Sequence, residues 1–281
     1  MNALKLINFG SNELKYNNIR THKLDSELLL SKILNKKREE IIANLKQKID
    51  LKKINEFNKL IYRRSLQEPM AYIINEKEFW SKKFEVNTKT LIPRPETELM
   101  LYNLIRMFSK KSISILDIGT GSGCILISLL GDIINAKGIG IDISEKALNI
   151  AKKNALNHGV LNRVKFFKRS ISNLYHLKFD LIVSNPPYIQ TRDLKNLDDC
   201  IKKYEPKIAL DGGNDGLDVI KKVIYKSCKI LKLNGLLAIE IGNGQYKKVS
   251  NILLKKLFRI EYNIKDYGNN TRCLIARKIN Y

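Results

Sequence analysis

The feature that most constrains the fold is a regular alternation of apolar, strand-like runs with helical segments from residue 113 onward. Near the C-terminal end, two further strand-like runs, at residues 258–264 and 272–277, are predicted to pair antiparallel with each other at one edge of a β-sheet. Apolar runs separated by helices are typical of parallel strands buried on both faces. Five such runs are predicted to be strands, at residues 113–117, 138–142, 164–168, 179–184 and 236–241. The sequence therefore predicts an α/β fold with a seven-stranded sheet between layers of helices.

The N-terminal part of the chain has a different pattern. Apolar residues recur every three to four positions along residues 25–66, which predicts a small all-helical unit. Asp25 is predicted to cap its first long helix by accepting free backbone N–H groups. Residues 76–92 carry short apolar and aromatic pairs that predict a hairpin linker. We therefore expect a helical domain at residues 1–75 and a second domain at residues 76–281.

Composition and charge exclude several classes of protein. No apolar run approaches the ~20 residues that span a bilayer, and residues 1–20 lack the layout of a secretory signal, so we expect a cytoplasmic protein without a membrane partner. The net charge of +23 is compatible with a nucleic-acid partner. The basic residues are spread along the whole chain beside many Asn and Ile, however, so genomic compositional drift is the favoured explanation and no obligatory nucleic acid is expected.

Cysteine and histidine are too scattered to indicate a metal centre. The chain has four cysteines and three histidines, at Cys124, Cys200, Cys228, Cys273, His22, His158 and His176. They form no CxxC pair and no paired histidine spacing, so neither a zinc site nor a disulfide framework is predicted.

A glycine-rich segment follows the first predicted strand of the sheet. Residues 117–123 are Asp-Ile-Gly-Thr-Gly-Ser-Gly, and a helix is predicted to begin at Cys124. Glycines there let a ligand lie against the backbone. The spacing is GxGxG, whereas dinucleotide binders use GxGxxG to aim a helix N-terminus at a pyrophosphate. The segment therefore predicts a nucleotide ligand without phosphates.

The second strand ends at an acidic residue. Asp142 lies about 20 residues beyond the glycine segment, where a carboxylate can accept both hydroxyls of a ribose. Ser144 is predicted to cap the following helix, which would leave Asp142 free for a ligand. Helix capping by Asp142 itself is the alternative interpretation.

The sharpest motif is Asn185-Pro186-Pro187-Tyr188, directly after the strand at residues 179–184. Because prolines have no amide hydrogen, the Pro186 carbonyl and the Asn185 side-chain oxygen can both face outward as acceptors for a planar NH₂ group. Fixing both hydrogens would aim the nitrogen lone pair at an electrophilic methyl group. Tyr188 is predicted to cover the flat face of the amide. A rigid proline turn without chemistry is the alternative.

At these residues the chain resembles the class I methyltransferases, and specifically the peptide chain release factor glutamine methyltransferase family. The resemblance runs nearly end to end. Its most family-specific part is Leu-Ile-Pro-Arg-Pro-Glu-Thr-Glu at residues 91–98. The other matching stretches are residues 24–30, 68–73, 78–80, 117–123, 185–189, 213–217 and 240–242.

The resemblance implies a Rossmann-like fold and methyl transfer from S-adenosyl-L-methionine. The acceptor would be the side-chain amide nitrogen of the glutamine in the Gly-Gly-Gln motif of class 1 release factors, which act in translation termination, and the helical domain would help to hold that protein. The implied catalytic residues are Asn185, Pro186 and Tyr188, and the implied glutamine contacts are Asn185, Pro186, Pro187 and Tyr188. The implied cofactor contacts are Gly119, Thr120, Gly121, Ser122, Gly123, Asp142, Ile171 and Asn185.

The chain departs from the family at four positions. Family members commonly have glycine where this chain has Gln67 and Asn75. Asparagine tolerates left-handed backbone, so Asn75 is compatible with the same loop. Ser170 and Ile171 stand where an acidic residue and a larger, often aromatic one are usual, which predicts altered contacts to adenine.

Three other functions are compatible with parts of the pattern. The four-residue motif can equally hold the exocyclic amino group of a base, which would make the chain an RNA or DNA N-methyltransferase. A non-catalytic RNA-binding or ribosome-binding protein could retain the same fold. An NAD-linked oxidoreductase is disfavoured because the glycine spacing of dinucleotide binders is missing.

Overall fold

The computed structural model describes residues 1–173 and 177–279 of the chain. In chain order the elements are α1 (Ala3–Tyr16), α2 (His22–Leu34), α3 (Arg38–Ala43), α4 (Leu51–Ser65), α5 (Met70–Ile74), β1 (Glu76–Phe79), β2 (Lys82–Glu85), α6 (Pro95–Phe108), β3 (Ser114–Ile118), α7 (Cys124–Asp132), β4 (Lys137–Asp142), α8 (Glu145–Asn157), β5 (Val164–Lys168), β6 (Phe179–Ser184), α9 (Asp199–Tyr204), α10 (Asp218–Ile230), β7 (Leu231–Glu240), α11 (Tyr246–Lys255), β8 (Phe258–Lys265) and β9 (Thr271–Lys278). Short 3₁₀ turns lie at Leu161–Arg163, Ile171–Asn173, Thr191–Asn196 and Lys207–Ala209.

The described residues form two compact units. The first comprises Met1–Asn75 together with Asp198–Tyr204, and the second comprises the other described residues. In the first unit, apolar side chains spaced three or four apart on α1, α2 and α4 meet in one core that includes Leu6, Leu29 and Phe57. No helix among the described residues is long and apolar enough to cross a bilayer.

Helix α2 begins earlier than the sequence predicted, so the predicted cap at Asp25 is wrong. The helix starts at His22 after Thr21, and Asp25 lies in its first turn. The Asp25 carboxylate accepts the Thr21 hydroxyl at 2.8 Å and pairs with Arg64 of α4 at 2.7 Å. A contact between two helices thus takes the place of local capping.

The two departures from glycine in the N-terminal region both adopt left-handed backbone. Gln67 has φ of 70° and Asn75 has φ of 60°. Asn75 ends α5 in this conformation, and the Gln67 side-chain amide donates to the Asn17 carbonyl at 2.9 Å. The strain of a non-glycine residue at position 67 is therefore offset by a hydrogen bond to the C-terminal end of α1.

The second unit opens with a hairpin and contains the main sheet. Strands β1 and β2 pair antiparallel from Glu76 opposite Glu85 to Phe79 opposite Lys82. The main sheet has seven strands in the order β5-β4-β3-β6-β7-β9-β8. The first five of these are parallel, and β9 runs antiparallel to both β7 and β8. The predicted α/β class, strand number and antiparallel edge are confirmed.

Alternate residues of the central strands enter two separate cores, one on each face of the sheet. Ile115, Leu181 and Val183 belong to the core that α6 and α7 cover. Leu116 and Ile182 belong to the core that α10 and α11 cover. The apolar runs at β3 and β6 therefore correspond to strands with no solvent-facing side. The run at residues 164–168 does not, because β5 is an edge strand that exposes Lys165, Phe167 and Lys168.

Candidate active site

The two motif-bearing loops lie side by side because their strands are neighbours. In the register of β3 and β6, Ile118 stands opposite Ser184, and the Ser184 hydroxyl donates to the Ile118 carbonyl at 2.8 Å. The glycine segment follows Ile118 and the Asn-Pro-Pro-Tyr motif follows Ser184. The strand order also reverses here, since β4 lies on one side of β3 and β6 on the other. Open parallel sheets bind ligands at this kind of switch point.

The glycine segment combines left-handed backbone with open space. Gly119 and Gly121 have φ of 73° and 56°; a Cβ on Gly119 would meet no atom within 4 Å, and one on Gly121 only the Gly119 carbonyl oxygen, at 4.0 Å. A ligand can therefore lie directly against this backbone. Gly123 differs, because a Cβ there would lie 2.7 Å from the Ile127 side chain and 3.2 Å from that of Ala151. Its role is close packing of α7 on α8.

Asp117 precedes the glycine segment as a fully buried carboxylate. One of its oxygens accepts the Thr120 hydroxyl at 2.7 Å, and the other has no hydrogen-bond partner among the described residues. Burial raises the pKa of Asp117 to about 7, against the opposing effect of the Thr120 hydroxyl. Asp117 does not line the cavity beside the glycine segment, so its contact with Thr120 supports the backbone of that segment from within the core.

Asp142 is held by two backbone groups. Ser144 caps α8 as predicted, with its hydroxyl oxygen accepting from the Ala147 N–H at 3.2 Å. The Asp142 carboxylate nevertheless accepts the Gly121 N–H at 3.0 Å and the Ser144 N–H at 2.8 Å, one on each oxygen. Burial raises the pKa of Asp142, and these backbone donors lower it. Each oxygen keeps an acceptor position, so the pair can still receive two hydroxyls.

Asn185 has a defined orientation. Its side-chain nitrogen donates to the Thr97 hydroxyl oxygen at 3.4 Å, so its side-chain oxygen is turned away from that contact. Among the residues that the structure describes, no hydrogen bond to this oxygen is found. Pro186 and Pro187 line the same cavity as Asn185. The Asn185 oxygen and the Pro186 carbonyl stay the predicted acceptors of an NH₂ group.

The Tyr188 side chain is held by a hydrogen bond and by packing against the core. Its hydroxyl donates to the Glu240 carboxylate at 3.3 Å, and its ring packs against the core that α10 and α11 cover. Burial and the Glu240 charge raise the pKa of Tyr188. Tyr188 does not line the cavity beside the carboxyl ends of β3, β4 and β6.

One cavity of about 810 Å³ brings most of the predicted residues together. It opens beside the carboxyl ends of β3, β4 and β6. Its lining includes nine of the predicted site residues, namely Gly119, Thr120, Gly121, Ser122, Asp142, Ile171, Asn185, Pro186 and Pro187. Gly123 and Tyr188 are the two predicted residues outside this lining.

Sequence reasoning missed the residues that hold the Asn-Pro-Pro-Tyr loop in place. Ile189 forms a parallel bridge with Asp211, and the Gln245 side-chain nitrogen donates to the Tyr188 carbonyl at 3.0 Å and the Gly216 carbonyl at 3.2 Å. Gly212 lies so close that a Cβ there would stand 2.8 Å from Tyr188 Cα. The stretch at residues 213–217, which the sequence marked only through the family resemblance, thus belongs to a loop packed against the motif.

Thr97 and Glu240 were also missed as site residues. The Thr97 hydroxyl donates to Glu240 at 2.6 Å, and both side chains are buried, with 3% and 2% of their surface exposed. Burial raises the pKa of Glu240 to about 7. The only sequence signal was their place in the matching stretches at residues 91–98 and 240–242.

The cavity has several cationic side chains. Its lining includes Lys89, Arg94, Arg169, Lys207 and Lys222. Arg94 is committed to an ion pair, at 2.6 Å from the Glu205 carboxylate. Among residues 1–173 and 177–279, no group of three or more His, Cys, Asp or Glu is arranged to hold a metal ion. His176 lies outside the described residues.

Comparison with family models gives two matches. Residues 5–74 match the PrmC N-terminal domain, and residues 109–266 match a methyltransferase domain. A solved structure described as a methyltransferase from Pyrococcus furiosus superposes with a TM-score of 0.54 at 19% identity, covering 80% of this chain and 99% of that one. This likeness shows a shared fold and nothing finer.

Comparison with curated proteins gives relatives over nearly the whole chain. A release factor glutamine methyltransferase from Buchnera aphidicola subsp. Schizaphis graminum is 41% identical, with 94% of this chain and 95% of the relative covered. A bifunctional methyltransferase from Rickettsia prowazekii is 38% identical over 92% of this chain. The chain spans about half of that longer relative, 54% of its length.

Proposed function

The chain belongs to the release factor glutamine methyltransferase family, and on that basis we propose that it transfers a methyl group from S-adenosyl-L-methionine to a protein glutamine. The acceptor is the side-chain amide nitrogen of the glutamine in the Gly-Gly-Gln motif of class 1 release factors. The observation that carries the proposal is the position of Asn185 and Pro186 beside the open glycine segment, in one cavity.

The residues of the cavity fit this cofactor. The open backbone at Gly119 and Gly121 admits a ligand without phosphates. The two spare acceptor positions of Asp142 suit the hydroxyls of a ribose, and the apolar side chain of Ile171 lines the cavity as a surface for adenine. Ser122 and Thr120 complete the proposed cofactor contacts.

The reaction requires an oriented acceptor more than a strong base. When bound, the cofactor supplies an electrophilic methyl group. The Asn185 side-chain oxygen and the Pro186 carbonyl would each accept one hydrogen of the glutamine NH₂ group, which fixes its lone pair in one direction. Proline at positions 186 and 187 leaves no backbone N–H to compete for those acceptors. The nitrogen loses one proton to water after methyl transfer.

We assign the helical unit to recognition of the protein substrate. The match of residues 5–74 to the PrmC N-terminal domain supports this assignment. A cytoplasmic location and the absence of an obligatory nucleic acid belong to the same proposal, since release factors work in translation.

Mass spectrometry of a class 1 release factor tests the proposed function directly. After incubation with this protein and S-adenosyl-L-methionine, we expect one added methyl group on the glutamine of the Gly-Gly-Gln motif. A release factor with glutamate at that position is the matched control and should remain unmodified. Labelled methyl in RNA or DNA, with the release factor unmodified, would contradict the proposal and indicate an exocyclic amino group as the acceptor.

Gly212→Ala tests whether the loop at residues 212–217 positions the motif. The new Cβ would lie 2.8 Å from both Tyr188 Cα and the Gly216 carbonyl oxygen, two backbone atoms that must shift to make room. Because misplacement of reacting groups by about 1 Å can cost on the order of 100-fold in rate, we expect kcat to fall by about tenfold or more. Rates and the Tm are measured together.

The matched control is Gly159→Ala. Gly159 also lies in a turn, with φ of 67°, but a Cβ there would meet no atom within 4 Å. This variant should lose stability through backbone strain of about 1–2 kcal/mol and keep its kcat. Equal kcat values for the two alanine variants would show that the loop contact does not position the motif.

A further inference from the structure

Three side chains from distant parts of the sequence, those of Tyr188, Glu240 and Thr97, form a series of hydrogen bonds that ends at the Asn185 side chain. Glu240, at the end of β7, accepts the Thr97 hydroxyl at 2.6 Å on one oxygen and the Tyr188 hydroxyl at 3.3 Å on the other. Thr97 lies in the first turns of α6. Its hydroxyl oxygen in turn accepts the Asn185 side-chain N–H at 3.4 Å.

The direction of donation in this series of hydrogen bonds follows from the number of hydrogens that each group carries. A hydroxyl group has one hydrogen, and the short contact assigns that of Thr97 to the Glu240 carboxylate. Towards Asn185, the Thr97 oxygen can then act only as an acceptor. The reversed Asn185 amide would place its oxygen against the Thr97 oxygen with no hydrogen between them, which costs the hydrogen bond and adds repulsion.

We propose that Glu240, acting through Thr97, is a positioning residue that sets the orientation of the Asn185 amide and keeps its oxygen turned towards the acceptor substrate. The inference rests on the proposed function for its catalytic consequence, since that oxygen is the group assigned to hold the glutamine NH₂. The hydrogen bond from Tyr188 to the same carboxylate fixes the other end of the Asn-Pro-Pro-Tyr motif. One buried carboxylate thus organises both ends of the motif.

The hydrogen bonds keep this direction, from Asn185 to Thr97 to Glu240, only while the Glu240 carboxyl group is ionised. A protonated carboxyl group can donate its own hydrogen, and Thr97 is then free to donate to the Asn185 oxygen instead. The pKa of Glu240 is raised to about 7, mainly by burial and in part by the Glu96 charge, against the lowering effects of the Thr97 and Tyr188 hydroxyls and of Arg272. Cys273, which stands opposite Glu240 in the register of β7 and β9, has a pKa raised well above its usual value and stays neutral.

The proposal predicts that kcat decreases towards acidic pH. The active orientation needs the ionised form, so kcat should fall as the pH is lowered through about 7. Asp117 also has a pKa raised to about 7, and the two groups are separated by comparison with Glu240→Gln. That variant should have a lower kcat at pH 8 and should lose the part of the acid limb that Glu240 contributes.

The decisive comparison is Thr97→Val with Thr97→Ser. Valine keeps the shape of threonine but removes the hydroxyl, whereas serine keeps the hydroxyl and removes the methyl group. We expect Thr97→Val to lower kcat by about tenfold or more, as for loss of an oriented polar contact, with KM and cofactor Kd changed much less. Thr97→Ser should recover most of that kcat. Equal loss in both variants, or a normal kcat for Thr97→Val, would overturn the proposal.

A second measurement does not depend on any methyl acceptor. The Asn185 side-chain NH₂ resonance, assigned through its disappearance in Asn185→Ala, should show slowed hydrogen exchange in the wild type and in Thr97→Ser. It should exchange faster in Thr97→Val. An unchanged Asn185 resonance in Thr97→Val would exclude the Thr97 contact even if the release factor proved not to be the substrate, so the two proposals fail separately.

Discussion

Replacing Asn185 by Ala is expected to lower kcat by about 100-fold or more, as for loss of an oriented polar contact in a transition state. Alanine removes the acceptor oxygen that would hold one hydrogen of the glutamine NH₂ group. An amide nitrogen is a weak nucleophile, so its reaction depends on a fixed lone-pair direction more than on a base. The rate is measured by methyl transfer to a release factor at saturating substrate, and cofactor Kd by calorimetry.

Two further variants give the Asn185→Ala result its meaning. The aspartate of Asn185→Asp keeps one oxygen on the open side, but its other oxygen faces the Thr97 oxygen with no hydrogen between them. We therefore expect this variant to have nearly as low a kcat as Asn185→Ala. Asn263→Ala removes an exposed asparagine on β8 and should have the wild-type rate. Full activity of Asn185→Ala would show that the amide clamp does not operate.

The elements that the sequence predicted best are those with strong local determinants. The bounds of β5 and β6 agree with the predicted runs, because apolar and β-favouring residues are bracketed there by polar ones. Helix α6 has local determinants of the same kind, since it begins at Pro95 with Glu96 and Glu98 in its first turn. Proline at a helix start and acids at its positive end are both local effects, visible without the fold.

The hairpin of β1 and β2 shows what local signals cannot supply. Its turn is formed by Trp80 and Ser81, with φ of 53° and 52°, although neither residue type favours left-handed backbone. Contacts with residues outside the hairpin hold this turn in place. The Trp80 indole N–H donates to Asp132 at 2.6 Å and the Trp80 backbone N–H to Glu98 at 2.9 Å. Strand pairing also ends at Glu85, before the end of the predicted linker at residue 92.

The candidate site likewise contains some residues that local motifs predict and others that only the fold brings together. The sequence sufficed to predict that the glycine segment and residues 185–188 each follow a strand of the sheet, and parallel strands have their carboxyl ends at one edge. That the two strands are neighbours comes from the structure. Glu240 lies 143 residues from its partner Thr97, and no periodicity links the two positions. Such contacts are set by packing of α6 against the sheet, so they become visible only when the fold is known.

Replacing Asp142 by Ala is expected to raise the Kd for S-adenosyl-L-methionine by about 100-fold. A hydrogen bond to a charged group contributes ~1.5–3 kcal/mol, and two ribose hydroxyls on one carboxylate together give about 3 kcal/mol, or about two factors of ten. The wild-type affinity should also weaken at low pH, because the pKa of Asp142 is raised and protonation removes an acceptor. Calorimetry of both proteins across the pH range measures the two effects.

The difficulty with Asp142→Ala is that it also removes structural hydrogen bonds, since the carboxylate accepts the Gly121 and Ser144 N–H groups. Asp50→Ala provides the matched control. Asp50 caps α4 by accepting the Lys53 N–H at 2.9 Å and lies in the helical unit. Its loss should cost about 1 kcal/mol of stability and leave cofactor Kd unchanged. If the two variants had the same Tm and both bound cofactor normally, Asp142 would be a capping residue, as its second interpretation states, and the ribose would have to be held by other groups of the cavity.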